Sequence, residues 1–79
     1  MNQKNTADTI QPGDRVKVFL NSAFWKSEGW FNGIVVRIDP YTEHRSFYWV
    51  ELEKDVETRQ GNAARLISVL NPKYIKKTN

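Results

Sequence analysis

Hydrophobic and polar residues alternate with a period of two along much of the chain, and this pattern predicts short β-strands. The first predicted strand is 15–20, which follows a Pro-Gly-Asp turn signal. Its apolar face consists of Val16, Val18 and Leu20. Its other face consists of Arg15, Lys17 and Phe19. This alternation is typical of a half-buried strand in an antiparallel sheet.

The second predicted strand runs over 30–38 and ends before Pro40, because proline has no N–H to donate to a neighbouring strand. Gly33 within it indicates a bulge or a sharp bend. The alternation assigns to the core face Trp30, Ile34, Val36 and Ile38. It assigns to the outward face Phe31, Gly33, Val35 and Arg37. A polar hairpin loop over 41–45 follows, with His44 exposed to solvent.

The third predicted strand is 46–53, followed by a charged loop over 54–62, a short strand over 63–70 and a brief final strand over 74–76. The inward side chains of the third strand are Tyr48, Val50 and Leu52, and the outward ones are Phe47, Trp49, Glu51 and Glu53. A helix over 54–70 is the alternative, since this segment contains good helix formers. Gly61 and Asn62 in its middle argue against that helix.

Five short strands, with a long bent strand after the first loop, predict an all-β fold that closes into a small barrel. Closure would also remove the edge strands of the sheet. A chain of 79 residues has room for a single domain, which we place at 10–76. The polar leader 1–9 is expected to be disordered, and 77–79 to fray.

Three stretches resemble the SH3-like barrel superfamily over about residues 11–76. The stretch 12–18, PGDRVKV, resembles its opening strand. The stretch 29–38, GWFNGIVVRI, resembles the second strand of Tudor and agenet domains. The stretch 71–75, NPKYI, resembles the short helical turn and last strand that close such barrels. Residues 55–57 stand where Tudor domains usually have an aromatic residue.

The chain is also similar to a second group of small barrels, the photosystem I reaction-centre subunit IV and its relatives. The similar features are the Gly-x-x-Val-x-Val start at 13–18, the Phe-Trp pair of the first loop and the segment 33–39. That resemblance implies an accessory subunit, since those barrels use basic surfaces near a ferredoxin site. The acidic segment after the third strand and the Asn-Pro-Lys-Tyr ending depart from this group.

The composition excludes several kinds of chemistry. The chain has no cysteine and one histidine, which excludes disulfides, cysteine nucleophiles, Cys-ligated metal sites and His clusters. No P-loop or dinucleotide fingerprint occurs. We therefore expect no enzyme, no metal, no cofactor and no small-molecule substrate. No apolar run approaches the length of a membrane span and no signal peptide is visible, so the expected location is the cytoplasm.

Aromatic residues are the first candidates for binding a partner, since they make up 13% of the chain. The predicted partner-binding residues are Trp25, Phe31, Phe47 and Trp49. An exposed apolar patch of this size usually marks an interaction surface. Alternatively, the first loop folds back, and Phe24, Trp25 and Phe31 form a second small core.

Charge supplies the second candidate surface. The chain has a formal net charge of +3, although 51–57 holds four acidic residues. The predicted basic surface consists of Arg15, Lys17, Arg37, Lys73 and Lys76. Since the first and last strands of a closed barrel tend to be neighbours, most of these residues are expected to form one basic stripe. Such a stripe attracts nucleic-acid phosphates or an acidic protein.

Three binding functions follow from these patterns. The first is docking of another protein by a non-catalytic module or accessory subunit, with Trp49 as its main anchor. The second is binding of single-stranded nucleic acid, in which bases stack on aromatic rings and phosphates meet basic side chains. The third is a reader of methylated lysine or arginine, with a cage made by Trp25, Phe31, Tyr48 and Trp49.

Overall fold

The computed structural model describes residues 10–78, which form one antiparallel β-sheet. Its elements are β1 (Arg15–Leu20), β2 (Gly29–Thr42), β3 (Arg45–Glu57), β4 (Ala63–Val69), a 3-10 turn (Pro72–Tyr74) and β5 (Ile75–Lys77). The all-β prediction is confirmed. The helical alternative over 54–70 is wrong, because this segment belongs to β3, a turn and β4. The predicted leader 1–9 and Asn79 lie outside the described residues.

The five strands are hydrogen-bonded in the order β4-β3-β2-β1-β5. Each neighbouring pair is antiparallel, and β1 is flanked by β2 and β5. The expected proximity of the first and last strands is therefore confirmed. Within residues 10–78, β4 and β5 are the two edges of the sheet and do not pair with each other, so the pairing is that of an open sheet.

The hydrophobic cluster of the described residues lies against one face of the sheet, which we call the inner face. Its buried members are Ile10, Val16, Val18, Leu20, Val35, Val50, Leu52, Val56, Ile67, Val69 and Ile75. The alternation in β1 and β3 predicted the inward side chains of both strands correctly. Burial of these aliphatic side chains is the main favourable contribution to folding.

The predicted faces of β2 are wrong over its first half. Val35 is 1% exposed, whereas Ile34 is 44% and Val36 46% exposed. A register shift between Val35 and Arg37 then places an extra residue in β2, and Ile38 packs against the core. A bulge of this kind changes the phase of the alternation. The bulge lies at the end of three consecutive aliphatic residues, Ile34, Val35 and Val36, so the sequence pattern did not distinguish the two faces.

Gly33 explains why β2 has this phase. Gly33 is on the inner face, and a Cβ atom there would lie 2.6 Å from Val50 Cγ1 and 2.7 Å from the backbone oxygen of Glu51. Only glycine allows β2 and β3 to approach this closely. The expected bulge in this region is confirmed, but it lies two residues further along, after Val35.

Two strands are longer than the sequence predicted. β2 continues through Pro40 to Thr42, with an irregular register at that point. Within β2, β1 pairs with Gly29–Ile34 only, so among residues 10–78 the Pro40 part of β2 has no neighbouring strand on that side and tolerates the missing N–H. β3 continues to Glu57 because Val56 is buried in the core.

The first loop and the C-terminal end also have defined backbone contacts. The first loop lies along the end of β3, where Lys26 N–H donates to the Glu57 carbonyl over 2.9 Å. At the other end, Lys77 belongs to β5, and Thr78 N–H donates to the Arg15 carbonyl over 2.9 Å. Residues 77 and 78, which the sequence predicted to fray, are therefore hydrogen-bonded to β1 in the structure.

Candidate functional site

Three aromatic rings form a continuous row across the outer face of the sheet, at the β5 edge. The Phe19 ring lies 5.4 Å from the Trp30 ring and 5.9 Å from the Tyr74 ring, measured between centroids. Phe19 is directly opposite Trp30 in the β1–β2 register. Trp30 is 40% and Tyr74 38% exposed. We call these three residues the aromatic row.

Lysine side chains lie beside the aromatic row. Lys76 on β5 is directly opposite Lys17 on β1, and both are exposed. Lys76 Nζ lies 4.4 Å from the centroid of the Trp30 ring. Arg15 continues the outward side of β1, and Lys73 lies in the turn that precedes β5. The sequence predicted that basic residues of the first and last strands lie together, and Lys17 and Lys76 do so.

The basic side chains beside the aromatic row are not neutralised by carboxylates of the described residues. Among residues 10–78, Arg15, Lys17, Lys73 and Lys76 form no ion pair. Lys77, which points to the other side of β5, pairs with Asp14 over 3.4 Å. We call the aromatic row together with Arg15, Lys17, Lys73 and Lys76 the basic–aromatic face.

The acidic segment lies on the β3 side of the sheet, and part of it is neutralised. Asp55 Oδ1 accepts from Arg65 Nε over 2.9 Å, and Glu57 Oε1 pairs with Lys26 Nζ over 3.0 Å. Glu51 and Glu53 are exposed on the outer face and have no ion pair within the described part of the chain. The outer face is thus basic on β1 and β5 and acidic on β3.

A shallow depression of about 300 Å³ lies where the two halves meet. It is lined by Trp30, Phe31, Asn32, Leu52, Glu53 and Lys54. Trp30 supplies an aromatic wall, and Asn32 and Glu53 supply an amide and a carboxylate. No sequence pattern singled out this depression, since it depends on the register between β2 and β3.

Trp49, the predicted main anchor, lies further along the outer face in a separate cluster. Its Nε1 donates a hydrogen bond to Asp39 Oδ2 over 3.0 Å. The same carboxylate oxygen pairs with the Arg37 guanidinium over 3.0 Å, and Arg37 Cζ lies 5.4 Å from the Trp49 ring centroid. The exposed side chains of Val36 and Leu66 adjoin it. We call these five residues the Trp49 cluster.

The structure separates the predicted partner-binding residues. Phe31 was expected on the outward face, but it packs against the core from the inner face. Trp25 also packs against the core, which agrees with the alternative of a folded-back loop for this residue. Phe24 remains 56% exposed beside it. Only Phe47 and Trp49 share the outer face, as the alternation in β3 predicted.

Two further expectations are changed by this geometry. Arg37 was grouped with the basic surface, but it is paired with Asp39 in the Trp49 cluster. The four residues of the predicted methyl-lysine cage do not surround a common space, since Tyr48 and Trp49 are adjacent on β3 and face opposite sides of the sheet.

Sequence reasoning missed the aromatic row. Trp30 was assigned to the core because the phase of β2 was reversed. Phe19 was correctly placed on the outward face of the first strand, together with Arg15 and Lys17. The register that brings Tyr74 and Trp30 to either side of Phe19 is a tertiary property, which the alternation alone does not specify.

Residues 10–78 contain no cluster of three or more side chains suited to hold a metal ion. His44 lies in the hairpin turn, and its side chain is 89% exposed, as expected. None of the described segments forms a helix of the length and apolar character needed to cross a membrane. No protein-family model, curated protein or solved structure matches the chain.

Proposed function

We propose that this protein is a non-catalytic module that binds single-stranded nucleic acid through the basic–aromatic face. One observation carries the proposal: Lys76 lies over the exposed ring of Trp30 and directly opposite Lys17. Cationic and aromatic groups are thereby combined on one open surface. This combination is the one that recognises a strand of stacked bases joined by phosphates.

The aromatic row supports a single strand rather than a duplex. Its three rings extend from the turn before β5 across β1 to β2 in unbroken contact, and the outer two are exposed. Unpaired bases can stack on such rings, whereas a duplex keeps the faces of its bases covered. The row is open, so it suits a flexible strand lying along the sheet.

The lysines support an anionic ligand independently of the rings. Like charges directly opposite each other on neighbouring strands destabilise a sheet. Lys17 and Lys76 form such a pair, and neither has a carboxylate partner among residues 10–78. A bound phosphate would remove this repulsion, and phosphate oxygens are strong acceptors for ammonium groups.

The separation of charge gives the strand a preferred position. Phosphates would be repelled by Glu51 and Glu53 on β3 and attracted by the basic side chains of β1 and β5. The sugar–phosphate backbone is therefore placed along the β1–β5 side, and the bases over the aromatic row.

We also propose that the sheet belongs to a small SH3-like barrel. The long β2, which pairs with β1 in its first half and β3 in its second, supports this assignment. So does the 3-10 turn immediately before β5. Such a scaffold holds β5 and β2 on either side of β1, which is the arrangement that the aromatic row requires.

Fluorescence anisotropy with a labelled mixed-sequence oligonucleotide tests the proposed function. The purified protein should bind the single strand at about 50 mM salt and should bind more weakly at about 200 mM salt, because phosphate contacts release counterions. The complementary duplex should bind less tightly. Absence of binding to the single strand at the lower salt concentration would contradict the proposal, since the electrostatic contribution is largest there.

A second candidate function is docking of another protein through the Trp49 cluster. The observation that favours it is the exposure of Val36 and Leu66, which are 46% and 51% exposed beside Trp49. Charges of both signs, from Arg37 and Asp39, adjoin this patch. That combination fits a protein surface with apolar and charged groups better than it fits a polyanion.

Affinity capture with wild type and Leu66→Asp tests this second candidate. The substitution places a charge in the patch without changing the core. A partner lost with Leu66→Asp, and recovered as a purified protein that binds wild type directly, would support docking. The same set of captured proteins with both versions would contradict it.

A further inference from the structure

We infer that the depression beside Trp30 selects guanine among the bases of a bound strand. This inference rests on the proposed function, because it assigns a base-reading role to one part of the same face. The groups that carry it are the Trp30 ring, the Asn32 amide and the Glu53 carboxylate, which line a space of about 300 Å³.

The register of the sheet places Asn32 and Glu53 on one line with Lys17 and Lys76 across the outer face. Asn32 is opposite Lys17 in the β1–β2 register, and Lys17 is opposite Lys76. On the other side of β2, Leu52 is the partner of Gly33 in an antiparallel pair. Glu53, the next residue of β3, therefore lies beside Asn32, the residue before Gly33. The line therefore runs from two ammonium groups through an amide to a carboxylate, over the width of four strands.

Three polar side chains line the depression: Asn32, Glu53 and Lys54. Lys54 Nζ lies 5.9 Å from the centroid of the Phe31 ring, whereas the other two are not used by the fold. Within residues 10–78, the Asn32 amide forms no hydrogen bond and the Glu53 carboxylate forms neither a hydrogen bond nor an ion pair. Both residues are exposed. Their hydrogen-bonding groups are therefore available to a ligand.

The chemistry of these groups matches one base. An ionised carboxylate only accepts hydrogen bonds, and it binds best to two parallel N–H donors. The Watson–Crick edge of guanine offers N1–H and N2–H side by side, with O6 next to them. Glu53 can accept from the two donors while the Asn32 amide donates to O6.

The other bases form fewer favourable hydrogen bonds with the Glu53 carboxylate and the Asn32 amide. Uracil and thymine present a single N–H flanked by two carbonyl oxygens, which the carboxylate repels. Adenine and cytosine each present one amino group and an acceptor nitrogen. A mismatched base would leave part of the carboxylate's hydrogen-bonding capacity unused or facing another acceptor, and this difference gives selectivity.

The charge on either side of the depression sets the direction of the nucleotide. Lys17 lies two strands away from Glu53, a separation of about 10 Å across the sheet. A nucleotide whose phosphate contacts Lys17 can thus extend its base past Trp30 towards Glu53. The acidic β3 side of the face, which repels phosphates, thus forms the hydrogen bonds to the edge of the base.

Anisotropy titrations with eight-nucleotide strands test the inference. Each strand is a uridine run with one central guanosine, adenosine, cytidine or uridine, and a DNA series on a thymidine run distinguishes RNA from DNA. Wild type should bind the guanosine strand about fivefold or more tightly than the uniform strand, as expected for one good bidentate contact to a base. Glu53→Gln should remove most of this ratio.

Glu51→Gln is the matched control. Glu51 lies on the same strand and the same face, and its substitution makes the same change of charge, but it does not line the depression. Both variants should bind all strands somewhat more tightly, because each removes a negative charge. Only Glu53→Gln should lose the preference for guanosine.

The possible results separate the inference from the proposed function. Equal loss of the ratio in both variants would overturn the inference, since general charge would then explain it. Wild-type binding to every strand with equal affinity would also overturn it, while leaving the proposed function in place. Absence of binding to any strand at low salt would contradict the proposed function itself.

Discussion

Lys76 on β5 holds its ammonium group 4.4 Å from the centroid of the Trp30 ring on β2, although β1 lies between their strands. The contact therefore spans three strands of the outer face. Cation–π contacts of this kind contribute about 0.5–1 kcal/mol at exposed sites. Its larger importance is that it combines a cation and an aromatic ring on an open surface.

Replacement of Trp30 by alanine should weaken binding of a single strand. Loss of one stacking ring costs about 1–3 kcal/mol per base, which corresponds to roughly 5- to 150-fold in affinity. Anisotropy titration with the mixed-sequence oligonucleotide measures the change. Trp49→Ala is the control, since it removes the same side chain at a distant point of the same face and should leave the affinity nearly unchanged. Equal effects of both substitutions would contradict the assignment.

The salt dependence of binding should fall when either opposed lysine is removed. Each phosphate contact contributes about 0.7 to the slope of log affinity against log salt for a single strand. Lys17→Gln and Lys76→Gln should each lower the slope by about this amount. Lys26→Gln is the control, because Lys26 is paired with Glu57 away from the aromatic row. A slope that Lys26→Gln lowers as much as Lys17→Gln would show that binding depends on net charge alone.

Two neighbouring valines provide a test of the fold. Val35→Ala removes two buried methyl groups from the core and should lower the free energy of unfolding by about 1–3 kcal/mol. Val36→Ala changes an exposed side chain and should have an effect within about 0.5 kcal/mol. Urea unfolding of both variants measures the difference. A larger loss for Val36→Ala would mean that the phase of β2 is the reverse of the one described.

Gly33→Ala should be strongly destabilising, although the position lies in a strand. The new Cβ would lie 2.7 Å from the backbone oxygen of Glu51, so β2 and β3 would have to separate. Overpacking of this kind costs about 1–3 kcal/mol or more. Thermal unfolding measures it, with Asn32→Ala on the opposite face as the control. Similar melting temperatures for Gly33→Ala and wild type would contradict this close approach of β2 and β3, since the space would then accommodate a Cβ atom.

The sequence allowed the number and approximate position of the strands to be predicted, because period-two alternation is strong in β1 and β3 and turn signals separate the remaining strands. The alternation failed to predict the faces of β2, where Ile34, Val35 and Val36 are all aliphatic and Val36 is the extra residue of a bulge. An apolar run contains no periodic signal, so its phase is fixed by tertiary contacts such as the approach of Gly33 to Val50.

The candidate site was predicted only in part, for the same reason. The outward lysine of β1 and the final strand beside it followed from alternation and from the expected closeness of the first and last strands. Trp30 was misplaced with the rest of β2. Trp49 was correctly placed on the outer face, but its hydrogen bond to Asp39 depends on the β2–β3 register, which composition and spacing do not reveal.

The most direct test of the account is a heteronuclear NMR titration with a mixed-sequence single strand, first at low and then at moderate salt. The chain has three tryptophans, and their indole N–H resonances report separately on the core, the aromatic row and the Trp49 cluster. Binding through the basic–aromatic face should shift the Trp30 indole and the amides of Lys17 and Lys76, and these shifts should weaken as salt is raised. Shifts confined to the Trp49 indole and its neighbours, with Trp30 unchanged, would contradict it.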